Sequence, residues 1–354
     1  MYLDPFSVYC VLVLKLSDFE YDLPPELIAQ KPAVKRDESR LMLVDRKSGS
    51  IEHLYFHNIT DRTNNNDLFV LNNTRVFPAR LVGRKEQGSA SIEVFLLRET
   101  APGVWEVLLK PARRVPPGSR IIFRDGILSA EILESDPARQ KKYVRFNLVE
   151  GLMERFQELG DVPLPPYIHR PDGTTREDRE RYQTIYAVRE GSVAAPTAGL
   201  HFTQEILEKI RHCQITLHVG YGTFRPVTAE YIQDHEMDEE YFSVSAEDAG
   251  LIGEQQKSGG RVIATGTTSA RTLEAIAAEH GEVVACDGKT DLFIFPGYRF
   301  RVVDALLTNF HLPGSTLLML VSALGGMELI REAYREAVAN RYRFYSYGDA
   351  MLIL

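Results

Sequence analysis

Hydrophobic and polar positions along this chain change period several times, and each change marks a boundary. Ser17 and Glu20 stand at capping-box spacing, and Pro24 and Pro25 open a second short helix over 26–30. Residues 40–45 alternate as a strand, and 67–71 form a short apolar run that breaks into the polar cluster Asn72, Asn73, Thr74 and Arg75. From Val76 to about Leu148 the period falls to two: ARLVGR, SIEVFLLRE, VWEVLLK, SRIIFRDG, LSAEILE and KYVRFNL follow one another across Gly, Pro and Asp turns. Strands of this length without an intervening helix predict a small closed barrel. The stiff, proline-rich GDVPLPPYIHR at 160–170 then reads as the return linker.

Beyond the linker the pattern alternates strands with helices. AVREGSVAAPTAGLHFT (187–203) gives up side-chain bulk between Gly191 and Gly199, and Thr203 is placed to cap a helix over 204–210. In QITLHVGYGTF, Ile215, Leu217 and Val219 share one face and His218 takes the other, beside Gly220 and Gly222. His235 to Asp238 form a polar loop before a strand over 241–244, and Ser245 with Asp248 starts a helix that stops at Gly259 and Gly260. RVIATGTTSARTLEAIAAEHG reads as a buried strand, a Gly-Thr-Thr-Ser turn and a helix from about Ala270. The hydroxyls of Thr267, Thr268 and Ser269 then stand at a helix start that suits a carboxylate or phosphate. Residues 291–303 suggest a hairpin around Pro296 and Gly297, and Asn309 and His311 sit in a polar break before a buried helix. A charged helix over 327–341 and a strand over 350–354 close the chain.

The fold class expected is therefore an α/β main domain with an inserted small all-β barrel domain. Residues 15–75 and 165–354 form the main domain, 76–164 the barrel, and 1–14 an apolar leader without fold signal, an added segment or a misplaced start. The leader lacks a basic region and a cleavage site, and no run reaches the eighteen or so apolar residues of a membrane helix.

Length adds that 354 residues suffice for about two domains. A net charge of -8 argues against nonspecific coating of nucleic acid but leaves room for a local basic face, for which Arg113, Arg114, Arg120, Lys141, Lys142 and Arg145 of the barrel are candidates. The cysteines, Cys10, Cys213 and Cys286, are isolated, which argues against disulfides and a cysteine zinc site and fits a reducing cytoplasm.

The segments YQTIYA, VAAPTAGLHFT, TLHVGYGTF, ATGTTSARTLE, TDLFIFPGYRF, VVDALLTNFHLPGSTLLMLVSA and RYRFYSYGDAMLIL resemble those of the bacterial S-adenosylmethionine:tRNA ribosyltransferase-isomerases of queuosine synthesis. The resemblance runs from about Lys15 to Leu354. It departs at a shortened connection over 211–215, at Asn64 to Asn66, at Ala270 and at Gly314. It implies transfer of the ribosyl part of S-adenosylmethionine to 7-aminomethyl-7-deazaguanine at the tRNA wobble position, with isomerisation to an epoxycyclopentane and release of adenine and methionine. It implies no metal and no other cofactor, S-adenosylmethionine being consumed as a substrate.

Such a reaction needs a base for the carbon beside the sulfonium, an acid for departing adenine, and a neutral amine. His201 and His218 are the acid/base candidates and His311 the third, with Asp238 and Glu274 as weaker alternatives, Glu274 reading rather as a salt-bridging helix residue. The methionine carboxylate is expected at Thr267, Thr268 and Ser269 with Arg271 near, and Asn73, Arg75, Tyr182 and Asn309 are candidates for substrate hydrogen bonds. The expected partner is a tRNA anticodon loop, its base stacked on Tyr182, Tyr221 or Phe224; no membrane and no stable protein partner are expected, and a cytoplasmic monomer is. Two rivals are a non-catalytic RNA-binding module and a hydrolase using Ser192 or Ser315, the latter without a G-x-S-x-G elbow.

Overall fold

The computed structural model describes residues 13–88, 90–134, 142–171, 173–220, 222 and 227–354. Most of the leader, together with Lys141, Tyr221 and Phe224, lies outside the described residues.

The main sheet draws strands from both ends of the chain. They are β1 (Arg40–Val44), β2 (Ile51–Tyr55), β3 (Asp67–Asn72), β12 (Arg211–Leu217), β13 (Glu240–Val244), β14 (Arg261–Thr265), β15 (Cys286–Thr290), β16 (Ala305–Asn309) and β17 (Ala350–Ile353). Their order is β15-β13-β12-β3-β14-β16-β17-β1-β2. The four central strands β12, β3, β14 and β16 run parallel, so their carboxyl ends meet along one edge of the molecule. Every residue of β3 is buried, as expected of a parallel strand covered on both faces. The pleat divides those residues between two cores: Leu68 and Val70 join Ile215, Val262 and Leu273 on one side, Phe69 and Leu71 join Phe202, Ile263 and Leu307 on the other.

Helices cover the first of these faces: α5 (Ala246–Lys257), capped by Ser245 Oγ, α6 (Gly266–His280), α7 (Thr316–Gly325) and α8 (Met327–Ala339). α6 begins at Gly266, four residues ahead of the expected Ala270. Gly266 has φ +84, which bends β14 straight into the helix and leaves no room for a separate Gly-Thr-Thr-Ser turn. Thr203 does cap a helix, but α4 (Gln204–Leu207) is a single turn, because β12 already starts at Arg211. The expected hairpin over 291–303 is irregular chain. The buried Glu274 carboxylate accepts the amides of Arg301 (2.9 Å), Val302 (3.0 Å) and Val303 (2.9 Å), supplying the partners a strand would have given.

The inserted strands β5 (Arg80–Lys85), β6 (Ser91–Ala101), β7 (Val104–Lys110), β8 (Arg120–Phe123), β9 (Leu128–Ile132) and β10 (Lys142–Phe146) close into a barrel. Helix α2 (Leu152–Leu159) packs Phe156 edge-on against Trp105, ring centroids 5.2 Å apart, and against Phe146 at 5.1 Å. The chain enters through β4 (Thr74–Val76) and returns beside it as β11 (Arg189–Ser192), a parallel pair that joins barrel to sheet. The expected single basic face of the barrel is broken by acids. Glu131 is the cross-strand neighbour of both Arg120 and Arg145, and Arg120 also lies 3.7 Å from Glu86.

Candidate active site

Asn72, the last residue of β3, ties the strand ends together. Its Nδ2 donates to Leu217 O (3.0 Å) and Thr268 Oγ1 (3.2 Å), while its Oδ1 accepts from the amides of Thr74 (3.1 Å) and Leu217 (3.0 Å). An amide with both ends satisfied in the interior admits one orientation, so the ends of β3 and β12 and the start of α6 hold fixed positions. Beyond them opens a cavity of about 340 Å³, where ligands are expected in an open α/β sheet. Gly266, Thr267 and Thr268 from the start of α6, Thr308, Asn309 and His311 from the end of β16, and Ala194 to Ala198 wall one side; Pro166, Tyr167, Tyr182, Tyr345 and Ser346 contribute another. Glu20 is the one formally charged side chain among its described lining residues.

His311 is the histidine this cavity contains. Its main chain is clamped, the amide donating to Tyr334 Oη (2.9 Å) and the carbonyl accepting from Tyr21 Oη, and Nε2 lies 2.8 Å from Thr308 Oγ1. Burial pushes its pKa down to about 3, so the ring is neutral throughout the physiological range.

His201 stands behind the wall instead. Ser39 Oγ donates to Arg36 O (3.2 Å), so His201 Nδ1–H donates to Ser39 Oγ (2.7 Å), and Nε2 is left to accept from Asn309 Nδ2 (3.2 Å). Thr197 Oγ1 donates to Asn309 Oδ1 (2.9 Å), which completes the chain. Burial lowers the His201 pKa to about 4 and keeps the lone pair this arrangement needs. Both ring nitrogens are thus taken up by Ser39 and by the cavity-lining Asn309, and His201 itself does not line the cavity.

His218 faces β11. Its Nδ1 lies 2.8 Å from Thr74 Oγ1, its ring stacks on Tyr241, and burial, with Arg189 nearby, lowers its proton affinity. It does not line the cavity. A Cβ on Gly191, at φ +144, would stand 2.8 Å from His218 Nε2. Gly191→Ala is therefore expected to cost about 1–3 kcal/mol from strain and ring displacement, measurable as a lowered denaturation midpoint.

The remaining candidates separate in the same way. Ser269 Oγ turns back onto Thr265 O (2.8 Å) inside α6. Arg271 is buried and committed to Glu240 and to Leu292 O (3.0 Å), so it is not placed to meet a carboxylate in the cavity. Asn73 lies across β12 in a different, polar hollow with Gln214 and Thr216. Arg75 is exposed, 3.7 Å from Glu190, and Asp238 lines a small separate pocket with His235. Glu274 holds backbone amides and is not among the residues lining the cavity. Tyr182 does line the cavity but is fully buried, which removes it as a surface stacking platform.

A family model described as "Queuosine biosynthesis protein" matches residues 16–353. The chain belongs to this queuosine biosynthesis family. It is 50% identical over 348 residues to the S-adenosylmethionine:tRNA ribosyltransferase-isomerase of Caldanaerobacter subterraneus subsp. tengcongensis, covering 96% of this chain and 100% of the relative. It is 53% identical to the protein of the same name from Symbiobacterium thermophilum, with the same coverage. The crystal structure of the S-adenosylmethionine tRNA ribosyltransferase from Thermotoga maritima matches with a TM-score of 0.54 at 38% identity, over 95% of this chain and 100% of that one.

For the queuosine family member in hand, the cavity gathers Thr267, Thr268, Asn309, His311 and Tyr182 from the sequence-derived candidates. Sequence reasoning missed Glu20, Tyr167, Tyr345 and Ser346. Glu20 stands at capping-box spacing from Ser17, which marks it as a capping residue, and the tyrosines lie in stretches whose periodicity carries no sign of a ligand. Among the described residues no group of three or more His, Cys, Asp or Glu is disposed to hold a metal ion, and no helix is long and apolar enough to cross a membrane.

Proposed function

We infer that the chain is an S-adenosylmethionine:tRNA ribosyltransferase-isomerase that takes S-adenosylmethionine into the cavity at the carboxyl ends of β14 and β16. The observation that carries this reading is the pairing of a helix start with a neutral histidine on one cavity wall. The methionine carboxylate lies at the first turn of α6, where the amides have no carbonyl ahead of them and Thr267 and Thr268 add hydroxyls. His311 accepts the proton from the carbon beside the sulfonium. For this its Nε2–H donates to Thr308 Oγ1, leaving Nδ1 as the acceptor. The ring is unprotonated at rest, and once it has taken that proton an imidazolium of so low a proton affinity is a ready donor, so the same proton passes on to the departing adenine. Asn309, oriented by His201, supplies an amide hydrogen bond to the substrate.

The second substrate is a tRNA whose anticodon loop presents 7-aminomethyl-7-deazaguanine at the wobble position, a base that a single-stranded loop can splay outward. The neutral exocyclic amine attacks the ribosyl carbon, and adenine and methionine leave. The enzyme works as a cytoplasmic monomer and needs no metal or other cofactor, S-adenosylmethionine being consumed.

Incubation with S-adenosylmethionine and tRNA carrying that base is expected to release free adenine, followed by chromatography, and none with tRNA lacking the aminomethyl base. Binding of the tRNA without adenine release would make the chain an RNA-binding module instead.

A further inference from the structure

Ser346 lines two hollows. One is the cavity above; the other is a shallow cleft walled by Arg36, Arg181 and Arg343, with His201 and Tyr347. Two of these arginines are held by backbone carbonyls. Arg36 Nη1 donates to Leu200 O (2.9 Å) and Nη2 to Glu180 O (3.4 Å), while Arg181 gives Nη1 to Val34 O (3.2 Å) and Nη2 to Ala33 O (2.6 Å). Carbonyls fix a guanidinium in place without cancelling its charge, and among the described residues neither arginine forms an ion pair with a carboxylate. Arg343 does, through Nη2 to Asp349 Oδ1 (3.0 Å). Burial, and then the neighbouring Arg181, lower the proton affinity of Arg36. Two further polar groups at the cleft, Arg181 Nε and Tyr347 Oη, are buried without a hydrogen-bond partner.

Converging cations that lack a carboxylate, beside buried donors that lack an acceptor, cost free energy in the empty protein. A bound anion offsets the first of these costs by pairing the guanidinium charge. Planar guanidinium groups suit a phosphate in particular, because each can present two donors to its oxygens.

We propose that the Arg36–Arg181–Arg343 cleft binds a backbone phosphodiester of the tRNA, next to the nucleotide whose base enters the cavity. The inference rests on the tRNA reading above. Ser346 lines both, so the cleft adjoins the cavity across that residue, and a phosphate held here would fix the position of its nucleotide relative to the cavity. RNA backbone contacts position a substrate without reading its sequence, and they make binding salt-dependent.

The test measures binding of an anticodon stem-loop, and of full-length tRNA, as a function of salt for the intact protein and for Arg36→Gln and Arg181→Gln. Each variant is expected to bind about tenfold more weakly, with the slope of log affinity against log salt smaller by about 0.7–0.9, and with KM for S-adenosylmethionine unchanged. Arg181→Lys, which retains the charge, should keep the intact slope even where lost carbonyl contacts lower its melting temperature. Methylphosphonate substitution, one position at a time around the wobble nucleotide, identifies the phosphate. At one position it should weaken the intact protein and leave Arg181→Gln unaffected.

Unchanged slopes in both glutamine variants, or no coupled methylphosphonate position, overturn the assignment. So does stabilisation of the protein by inorganic phosphate with RNA binding unaltered in the variants, which would make the cleft a small-anion site. If the intact protein binds no tRNA at all, the proposed function fails first and this inference with it. Intact binding with unaltered variants sinks the inference alone.

Discussion

His311→Ala is expected to lower kcat for adenine release by about 10²- to 10⁴-fold, the range lost when a positioned proton acceptor is removed. The expectation follows from placement. Of the histidines singled out in the sequence, His311 alone lines the cavity, and its main chain is clamped by two tyrosine hydroxyls so that the ring has a fixed origin. The loss should fall on kcat more than on KM, because the missing interaction belongs to the proton transfer. Thr308→Val tests the tautomer. Without Oγ1 to accept from Nε2–H the ring loses its orientation, and a loss of about tenfold is expected. His201→Ala provides the contrast: it frees the Asn309 amide to turn and should raise KM for S-adenosylmethionine several-fold with a smaller change in kcat. Single-turnover adenine release checks all three. A His311→Ala variant with an intact kcat would remove His311 from the chemistry.

The second large effect is on stability. His201 and His311 titrate near 6.5 in an unfolded chain and near 4 and 3 in the folded one, because burial disfavours the imidazolium. As pH falls below about 6.5 the unfolded state takes up two protons that the native state refuses, so stability is lost progressively until the folded values are reached. The slope of unfolding free energy approaches about 2.7 kcal/mol per pH unit near pH 5, two protons at about 1.36 kcal/mol each. Denaturant titrations between pH 7 and pH 4.5 measure it. His201→Asn combined with His311→Asn should flatten this dependence even though each change costs stability at neutral pH. An equally steep acid loss in the double variant would show that other groups carry it.

Much of the architecture was legible in the chain because it depends on local periodicity. The six barrel runs all appear as strands, although SRIIFRDG keeps only the four residues of β8, and Ser245 caps the helix it was expected to cap. The failures have local causes as well. A glycine at φ +84 turned an expected loop into the first turn of α6, and Glu274 replaced a hairpin by gathering three amides on one carboxylate.

The site divides along the same line. Sequence alone picked out the Gly-Thr-Thr stretch and the Asn309–His311 break, which the fold brings to one cavity, and the family to which the chain belongs. It did so because strand ends and helix starts are punctuated by residue type. Three histidines in glycine- or proline-marked breaks compete at that level, with His201 and His218 placed ahead of His311. Only the tertiary structure separated them, since whether a ring meets a cavity, a neighbouring strand or a buried amide depends on contacts between residues far apart in the chain. His201 meets Asn309 across 108 positions and His218 meets Thr74 across 144. The arginine cleft has the same origin: Arg36, Arg181 and Arg343 share no motif, and the fold brings them together.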